Sequence, residues 1–581
     1  MRDGKNDPDV NRPPAFDARH GLLVTFFTPT RRSGEEALIL PKSAHDESES
    51  GGGGKKAPAA GRDGRSTTKH RTYDLVIVSN RLPVDHVSGD GDDAVWRPSP
   101  GGLVAALEPI MKREDGVWIG WVGIPDAEFE PFEADGIDIR PVSLSAQDVE
   151  YYYEGFSNDT LWPLYHDVIA PPSFHREWWD AYVQVNRRFA DAALEAAAPG
   201  AVVWVHDYQL QLVPKMLRDA RPDLVIGFFD HIPFPAYGIY SQLPWRKQVV
   251  EGLLGADVIG FQRLADAGNF ARAVRRLLGH ETRGSVIEVP LGEDEGVGHR
   301  HVKTNRRGTR VRTVLAKQFP ISIDAARYEE LASQPEIQAR AQQIREELGN
   351  PKTIMLGVDR LDYTKGIGHR LKAYGELLRD HAVDTDDITL VQVASPSRER
   401  VETYKQLRDE VELTVSRING DYSTISHTAI SYLHQGYPRE EMVALYLAAD
   451  VMLVTALRDG MNLVAKEYVA SRIDNDGVLV LSEFTGASDE LKQALLVNPH
   501  DIEGLKDAMV RAIEMPKRER ARRMRALRKR VLAYDVQRWS ATFFDALTHV
   551  TAEDDFGDHE IAQRPKMATD THGQIHERGD R

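Results

Sequence analysis

The sequence of 581 residues contains no cysteine. This excludes disulfides, thiolate metal sites and a cysteine nucleophile, and says nothing by itself about compartment. Long apolar runs are missing too, and the stretch Leu22 to Phe27 is far too short to span a bilayer. Positive charge is in the minority, with 73 Lys and Arg against 89 Asp and Glu, a formal net charge of -16. That balance argues against non-specific binding to nucleic acid or to an anionic membrane, yet permits a local basic pocket for phosphates. The opening MRDGKNDPDVNRPP lacks the basic-then-apolar pattern of a secretory signal, so a cytoplasmic enzyme is expected. No internal repeat, heptad run or zinc-spaced histidine pattern is present.

What is there fits a globular protein, 41% hydrophobic and 28% charged, long enough for two domains. Residues 1–70 and 551–581 are polar, the former with the run Gly51 to Gly54, and are read as disordered tails. Between them, short apolar runs such as Asp74 to Ser79, Gly116 to Trp121, Ala201 to Val205, Leu224 to Phe229 and Ala256 to Phe261 alternate with helical patterns. A second series includes Thr353 to Val358, Ile388 to Val393, Val451 to Val454 and Gly477 to Leu481. Fully apolar runs alternating with helices predict an α/β chain with mostly parallel sheets. Two doubly wound halves are expected, at 71–320 and 321–535, facing a central cleft at the strand C-terminal ends. A polar insert at about 282–310 is expected to be an exposed excursion. The piece 536–550 is expected to be a helix returning to the first half.

Several polar clusters follow these strands. In Asp359-Arg-Leu-Asp-Tyr-Thr-Lys-Gly366, Arg360 supplies a planar fork and Lys365 a point charge, which together suit a diphosphate. The glycine spacing is not that of a Walker loop. In Arg458-Asp-Gly-Met-Asn-Leu-Val-Ala-Lys-Glu467, Asn462 can cap a helix whose N–H groups and dipole would face an anion. Glu467, one turn deeper, can accept two hydrogen bonds from a diol. Arg81, Gly101 and Gly102, Asp207, His231 and Arg398 also lie at strand ends or turns, and Tyr153 and Trp162 flank Phe156 to Leu161 as aromatics that alone would read as core; each is ambiguous alone. The pairs Asp90/Asp92 and Asp384/Asp386 sit in turn-like polar loops, so no metal and no cofactor is expected.

Taken together, SNRLP at 79–83, PGGL at 100–103, YYEGFSNDTLWPLYH at 152–166, HDYQLQLVPKML at 206–217, HIPFP at 231–235, VDRLDYTKG at 358–366, PSRERV at 396–401, RINGDY at 417–422 and LRDGMNLVAKEYVA at 457–470 resemble the trehalose-6-phosphate synthases. LSEFTGA at 481–487 and VNPHD at 497–501 fit as well, so the resemblance runs in order from about 73 to 550 and is nearest the actinobacterial members. It implies a retaining glycosyltransferase of the GT-B fold that moves glucose from a nucleoside-diphosphate glucose to glucose 6-phosphate. Gly101, Gly102, Arg360 and Lys365 would then meet the donor diphosphate, and Glu467 the ribose. The backbone of Leu463, Val464, Ala465 and Lys466 would line the donor, and Tyr437 would contact the base. Asp459 would bond the donor glucose. Arg81 and Arg398 would grip the acceptor phosphate; Trp121, Tyr153 and Asp207 would position the acceptor. Trp162 and His231 would shape the sugar pocket and select the anomer. His231, Asp459, Arg360 and Lys365 form the expected catalytic set.

Two departures from the family pattern bear on the site. Asp230 stands where an apolar residue is usual, and is expected to raise the pKa of His231 or to change the sugar fit. Ala456 replaces the usual proline before Leu-Arg-Asp-Gly. A synthase using glycerol 3-phosphate, a sugar-nucleotide epimerase and a catalytically silent sugar-phosphate sensor are the competing readings. The donor base (uridine, adenine or guanine) and the question of a homo-oligomer stay open at this point.

Overall fold

A computed structural model of the chain describes residues 71–87, 95–98, 107, 111, 116–292 and 298–549. The two tails, Gly101, Gly102 and the pair Asp90/Asp92 lie outside the described residues.

Two sheets organise the rest. The larger runs, edge to edge, Glu281–Arg283, Val286–Pro290, Arg310–Gln318, Val258–Phe261, Val225–Phe229, Ala197–His206, Tyr73–Arg81, Gly116–Trp121, Ile137–Pro141 and Phe132–Ala134, with Val302–Thr304 beside Arg310–Gln318. Its inner strands, from Arg310–Gln318 to Ile137–Pro141, are all parallel. The smaller sheet runs Ile430–Leu433, Ile388–Ser395, Thr353–Arg360, Val451–Val454, Val478–Ser482 and Leu495–Val497, and is parallel throughout. Parallel strands are covered on both faces, which is why Gly116–Trp121, Val225–Phe229, Val258–Phe261 and Val451–Val454 are unbroken apolar runs buried at every residue.

The covering helices are amphipathic. In Arg176–Ala196, Trp179, Tyr182, Val185, Phe189 and Ala193 recur at helical spacing and are all buried. The segment at 282–310 differs from the expected excursion. Its strands Val286–Pro290 and Val302–Thr304 pair antiparallel with Arg310–Gln318, extending the larger sheet at its edge. Ile287, fully buried, gives the physical reason: it needs a sheet face to cover it.

The helix Val536–His549 lies against the larger sheet, although it follows the smaller one in the chain. Phe543 stacks on Trp204 with ring centroids 4.5 Å apart. The ring passes directly over Gly227 and Gly260, where a Cβ on either would come within 2.9 Å of Phe543 carbons. Only glycine permits that approach. Strand C-terminal ends of the two sheets meet: a side chain at Gly460 would collide with the main chain of His231.

Candidate active site

On the smaller-sheet side, the strand Thr353–Arg360 runs into a tight turn capped by Asp362. Its carboxylate accepts the Thr364 N–H at 2.9 Å and the Thr364 hydroxyl at 2.8 Å. Gly366, at φ 66°, then starts the helix Ile367–Arg379. This geometry aims Lys365 across the cleft floor to Asp459, with Nζ 2.6 Å from Oδ2. Beneath the turn, buried Arg370 locks the strand ends together by donating to Asp359 at 2.7 Å and Gln392 at 2.6 Å. Arg360 instead projects outward, its guanidinium 5.4 Å from the Trp162 ring centroid.

Asp459 and Asn462 form the second turn. Asn462, at φ 86°, accepts the Ala465 N–H at 3.0 Å and donates to Asp459 at 3.2 Å, capping the helix Leu463–Ser471 as the sequence suggests. Burial works against ionisation of Asp459, but Lys365 and Asn462 outweigh it and hold the carboxyl below its ordinary range. Glu467 accepts the Tyr446 hydroxyl at 2.8 Å, and burial pushes its pKa up. The side chain of Lys466 is engaged elsewhere, bonded to Glu490 at 2.7 Å and the Ile321 carbonyl at 2.8 Å, so its amine belongs to the scaffold. Leu463 and Val464 are half-buried, Ala465 is buried, and Tyr437 is half-buried with Gln435 donating to its hydroxyl.

On the larger-sheet side, Asp207 sits at the end of Ala197–His206 with φ 76° and ψ 166°, a region disfavoured for any residue but glycine. The Asp207 N–H bonds the Phe229 carbonyl at 2.8 Å, and its carboxylate accepts the His231 N–H at 3.2 Å. Burial lifts its pKa to about 6 against the pull of Arg360 and Arg398. His231 Nε2 lies 3.1 Å from His206 Nδ1, and burial drives the His231 pKa down to about 3. The expectation that Asp230 raises this pKa is therefore corrected. Asp230 is fully buried near Asp207, Asp266 and the tyrosines Tyr165, Tyr182 and Tyr240, and burial alone governs the His231 shift. Burial and the neighbouring Asp207 push the pKa of Asp230 itself well above its ordinary value.

Tyr153 lies in an uncommon element, and Trp162 directly follows it. Val149–Leu161 is a π-helix, and the Trp162 N–H reaches back five residues to the Ser157 carbonyl. Such windings concentrate at functional sites. Arg81 lies 5.4 Å from the centroid of Trp121, whose ring is 6.1 Å from Tyr153. Arg81 also pairs with Asp85 at 2.8 Å and stays exposed. Arg398, at φ 50°, packs 3.9 Å from the Trp162 centroid. Its guanidinium donates to Asp362 at 2.7 Å, to Tyr208 of the opposite sheet at 3.2 Å, and to Tyr404. Burial opposes ionisation of Asp362, but Arg398, Arg360 and Lys365 together hold it well below the usual range.

Two guanidiniums of the smaller-sheet side, Arg360 and Arg398, thus lie over the ring of Trp162 on the larger-sheet side. Among the described residues, no group of three His, Asp or Glu is placed to hold a metal ion, and no helix is long and apolar enough to cross a membrane.

Residues 73–549 match the family described as Glycosyltransferase family 20. The chain belongs to that family. A trehalose-6-phosphate synthase of Mycobacterium avium (strain 104) is 55% identical over 496 residues, 84% of this chain and 98% of that protein. A solved structure from E. coli bound with UDP-2-fluoro glucose is 33% identical at a TM-score of 0.72, covering 82% of this chain and 99% of that one. An alpha,alpha-trehalose-phosphate synthase (UDP-forming) from Burkholderia xenovorans in complex with glucose-6-phosphate matches with 33% identity and a TM-score of 0.72, covering 82% and 99%. The family 20 chain is a glycosyltransferase, and its two facing sheets are the GT-B fold.

The family 20 site also holds residues that sequence reading did not single out. His166 lies on Trp162, ring centroids 4.2 Å apart, with Nδ1 bonded to the Trp162 carbonyl at 2.8 Å. Asp362 anchors Arg398, and Tyr208 carries the contact across the cleft. His166 and Tyr208 lie inside the quoted family strings, and Asp362 lies in the same turn as Lys365. Position in a motif was the available signal.

Proposed function

We propose that this enzyme transfers glucose from a nucleoside-diphosphate glucose to glucose 6-phosphate with retention of configuration, giving α,α-trehalose 6-phosphate. The observation that carries the reading is the convergence at Trp162. Arg360 and Arg398 both lie over its ring from the opposing lobe, while Lys365 meets Asp459 beside them. The named activity and ligands of the similar proteins support it.

In this reading Arg360 and Lys365 stabilise the charge that develops on the leaving diphosphate, and Asp459 bonds the donor glucose. The helix start at Leu463 turns its N–H end and dipole to the donor, the Ala465 N–H being capped by Asn462. Glu467 takes the ribose diol. Arg81 and Arg398 hold the acceptor phosphate, with Tyr153, Trp121 and Asp207 around the sugar. No glycosidase-type nucleophile is needed. The diphosphate oxygen accepts the proton of the attacking hydroxyl, which adds to the face the diphosphate leaves. Protein groups act by orientation and preorganised charge. His231, with its depressed pKa, is neutral near pH 7 and serves as a hydrogen-bonding wall of the sugar pocket.

The test is a matrix of uridine, adenosine and guanosine diphosphate glucose against glucose 6-phosphate, glucose and glycerol 3-phosphate, with products identified by mass spectrometry and NMR. A non-reducing disaccharide phosphate from glucose 6-phosphate alone is expected. Equal use of glycerol 3-phosphate or of free glucose would overturn the acceptor assignment.

A further inference from the structure

Arg458 is absorbed by none of the roles above, yet it precedes Asp459 and leaves its own lobe. Its Nε lies 3.2 Å from Asp167 Oδ2 and a terminal nitrogen 3.5 Å from Asp266 Oδ1, both on the larger-sheet side. Its main chain stays home: the Leu457 N–H bonds the Thr364 carbonyl at 2.7 Å, tying this loop to the turn that carries Lys365.

Each partner is unusual. Asp266 is fully buried in the first turn of Leu264–Leu278, and neither of its oxygens finds a hydrogen bond among the described residues. Burial lifts its pKa to about 7, while Arg458 and Arg263 pull it down. Asp167 and Val168 follow each other at φ 58° and φ 60°. A β-branched residue there is a strained outlier, at a place where a helix end would ordinarily use glycine. The turn is held by the Val168 N–H on the Pro163 carbonyl at 2.9 Å. It directly follows His166, the ring that packs on Trp162. The same helix start carries Arg263, which forks onto Asp489 of the other lobe at 2.8 and 3.1 Å. Two ion pairs thus cross the cleft at the head of one helix.

The separations at Arg458 decide its character. They are ion-pair distances without hydrogen-bond alignment, to one buried carboxylate and one exposed one, so neither lobe's own fold depends on the contact.

We propose that Arg458 is a positioning residue, clasped between Asp167 and Asp266, that seats the loop carrying Asp459 against the donor sugar only when the lobes close. The proposal rests on the reading of Asp459 as a donor-sugar contact. The clasp couples closure to the reacting geometry through one side chain.

The experiment compares the parent with Arg458→Gln, Arg458→Lys, Asp266→Asn and the double variant R458Q/D266N. Measured are kcat and KM for each substrate, the affinity for nucleoside diphosphate alone by calorimetry, and the radius of gyration with and without both substrates. Thermal melts check folding, and Arg458→Lys, which keeps the charge, serves if Arg458→Gln does not fold. For Arg458→Gln we expect kcat to fall by roughly 10- to 100-fold, the scale of a small misplacement of a reacting group. Nucleoside diphosphate affinity should hold within about threefold, because that ligand needs no clasp. Arg458→Lys should recover part of kcat, and the double variant should be no worse than Arg458→Gln alone. The substrate-induced decrease in radius should shrink in Arg458→Gln. Multiplying effects in the double variant, or an unchanged kcat together with an unchanged decrease in radius, would overturn the clasp. A parent that closes but makes no disaccharide phosphate would instead remove the functional reading, and the scattering comparison would still judge the clasp.

Discussion

Lys365→Ala removes the ammonium that lies 2.6 Å from Asp459 Oδ2 and faces the leaving group in the proposed reaction. Two consequences can be worked out. Loss of one preorganised contact to developing charge costs about 3 kcal/mol in the transition state, or about a hundredfold in kcat. The second concerns Asp459, whose pKa is a balance between burial, which raises it, and Lys365 and Asn462, which lower it. Without Lys365 the raising influence gains and the folded-state pKa climbs. The sign follows directly: a carboxylate held below its unfolded value contributes stability above that value and loses it as pH falls through the folded pKa. The variant should therefore lose activity at a higher pH than the parent on the acid side, in addition to being slower throughout. Both effects are read from nucleoside diphosphate release at saturating substrates across about pH 4 to 9. Lys365→Met, similar in bulk, separates charge from packing, and thermal melts verify folding. A kcat within about threefold of the parent, with the acid limb unmoved, would refute the assignment of this lysine.

Arg398→Ala strands the buried Asp362 carboxylate, so urea unfolding should show a loss of about 3–5 kcal/mol, partly recovered in an Arg398→Ala/Asp362→Ala double variant. The His231 ring, with its pKa near 3, should show no titration in NMR spectra between about pH 5 and 8. Asp230 has its folded pKa raised above the unfolded value, so its contribution is present at low pH and lost as pH rises; Asp230→Asn should gain stability relative to the parent as pH rises from about 4. Glu467→Gln weakens an acceptor for two hydroxyls without touching the reacting atoms, so the donor KM should rise roughly tenfold with kcat little changed.

Sequence pattern reached far where chemistry is local. Gly116–Trp121 and Val451–Val454 read as buried parallel strands because their apolar runs have no polar face. Asn462 read as a cap because a cap depends on residues three apart. What escaped depends on distant partners or on backbone torsions. The π-helix at Val149–Leu161 has no distinctive residue pattern, although Tyr152 and Phe156 within it are buried in the core. The left-handed torsions at Asp207 and Arg398 are imposed by their surroundings. The bond between Arg398 and Asp362 spans 36 positions, so Asp362 looked like an ordinary loop charge. Asp230 was misread because burial, which depends on distant parts of the chain, dominates the ionisation of both Asp230 and His231.

The closing helix has a mechanical consequence. Its Val536 N–H bonds the Ile323 carbonyl at 3.0 Å and its Trp539 indole bonds the Phe319 carbonyl at 3.2 Å. The outgoing and returning passages of the chain between the lobes are therefore stitched side by side. A doubled strap of this kind flexes like a book spine: it lets the covers swing and resists their sliding or twisting past one another. Whatever enters the cleft is met by the same two faces in the same register on every turnover.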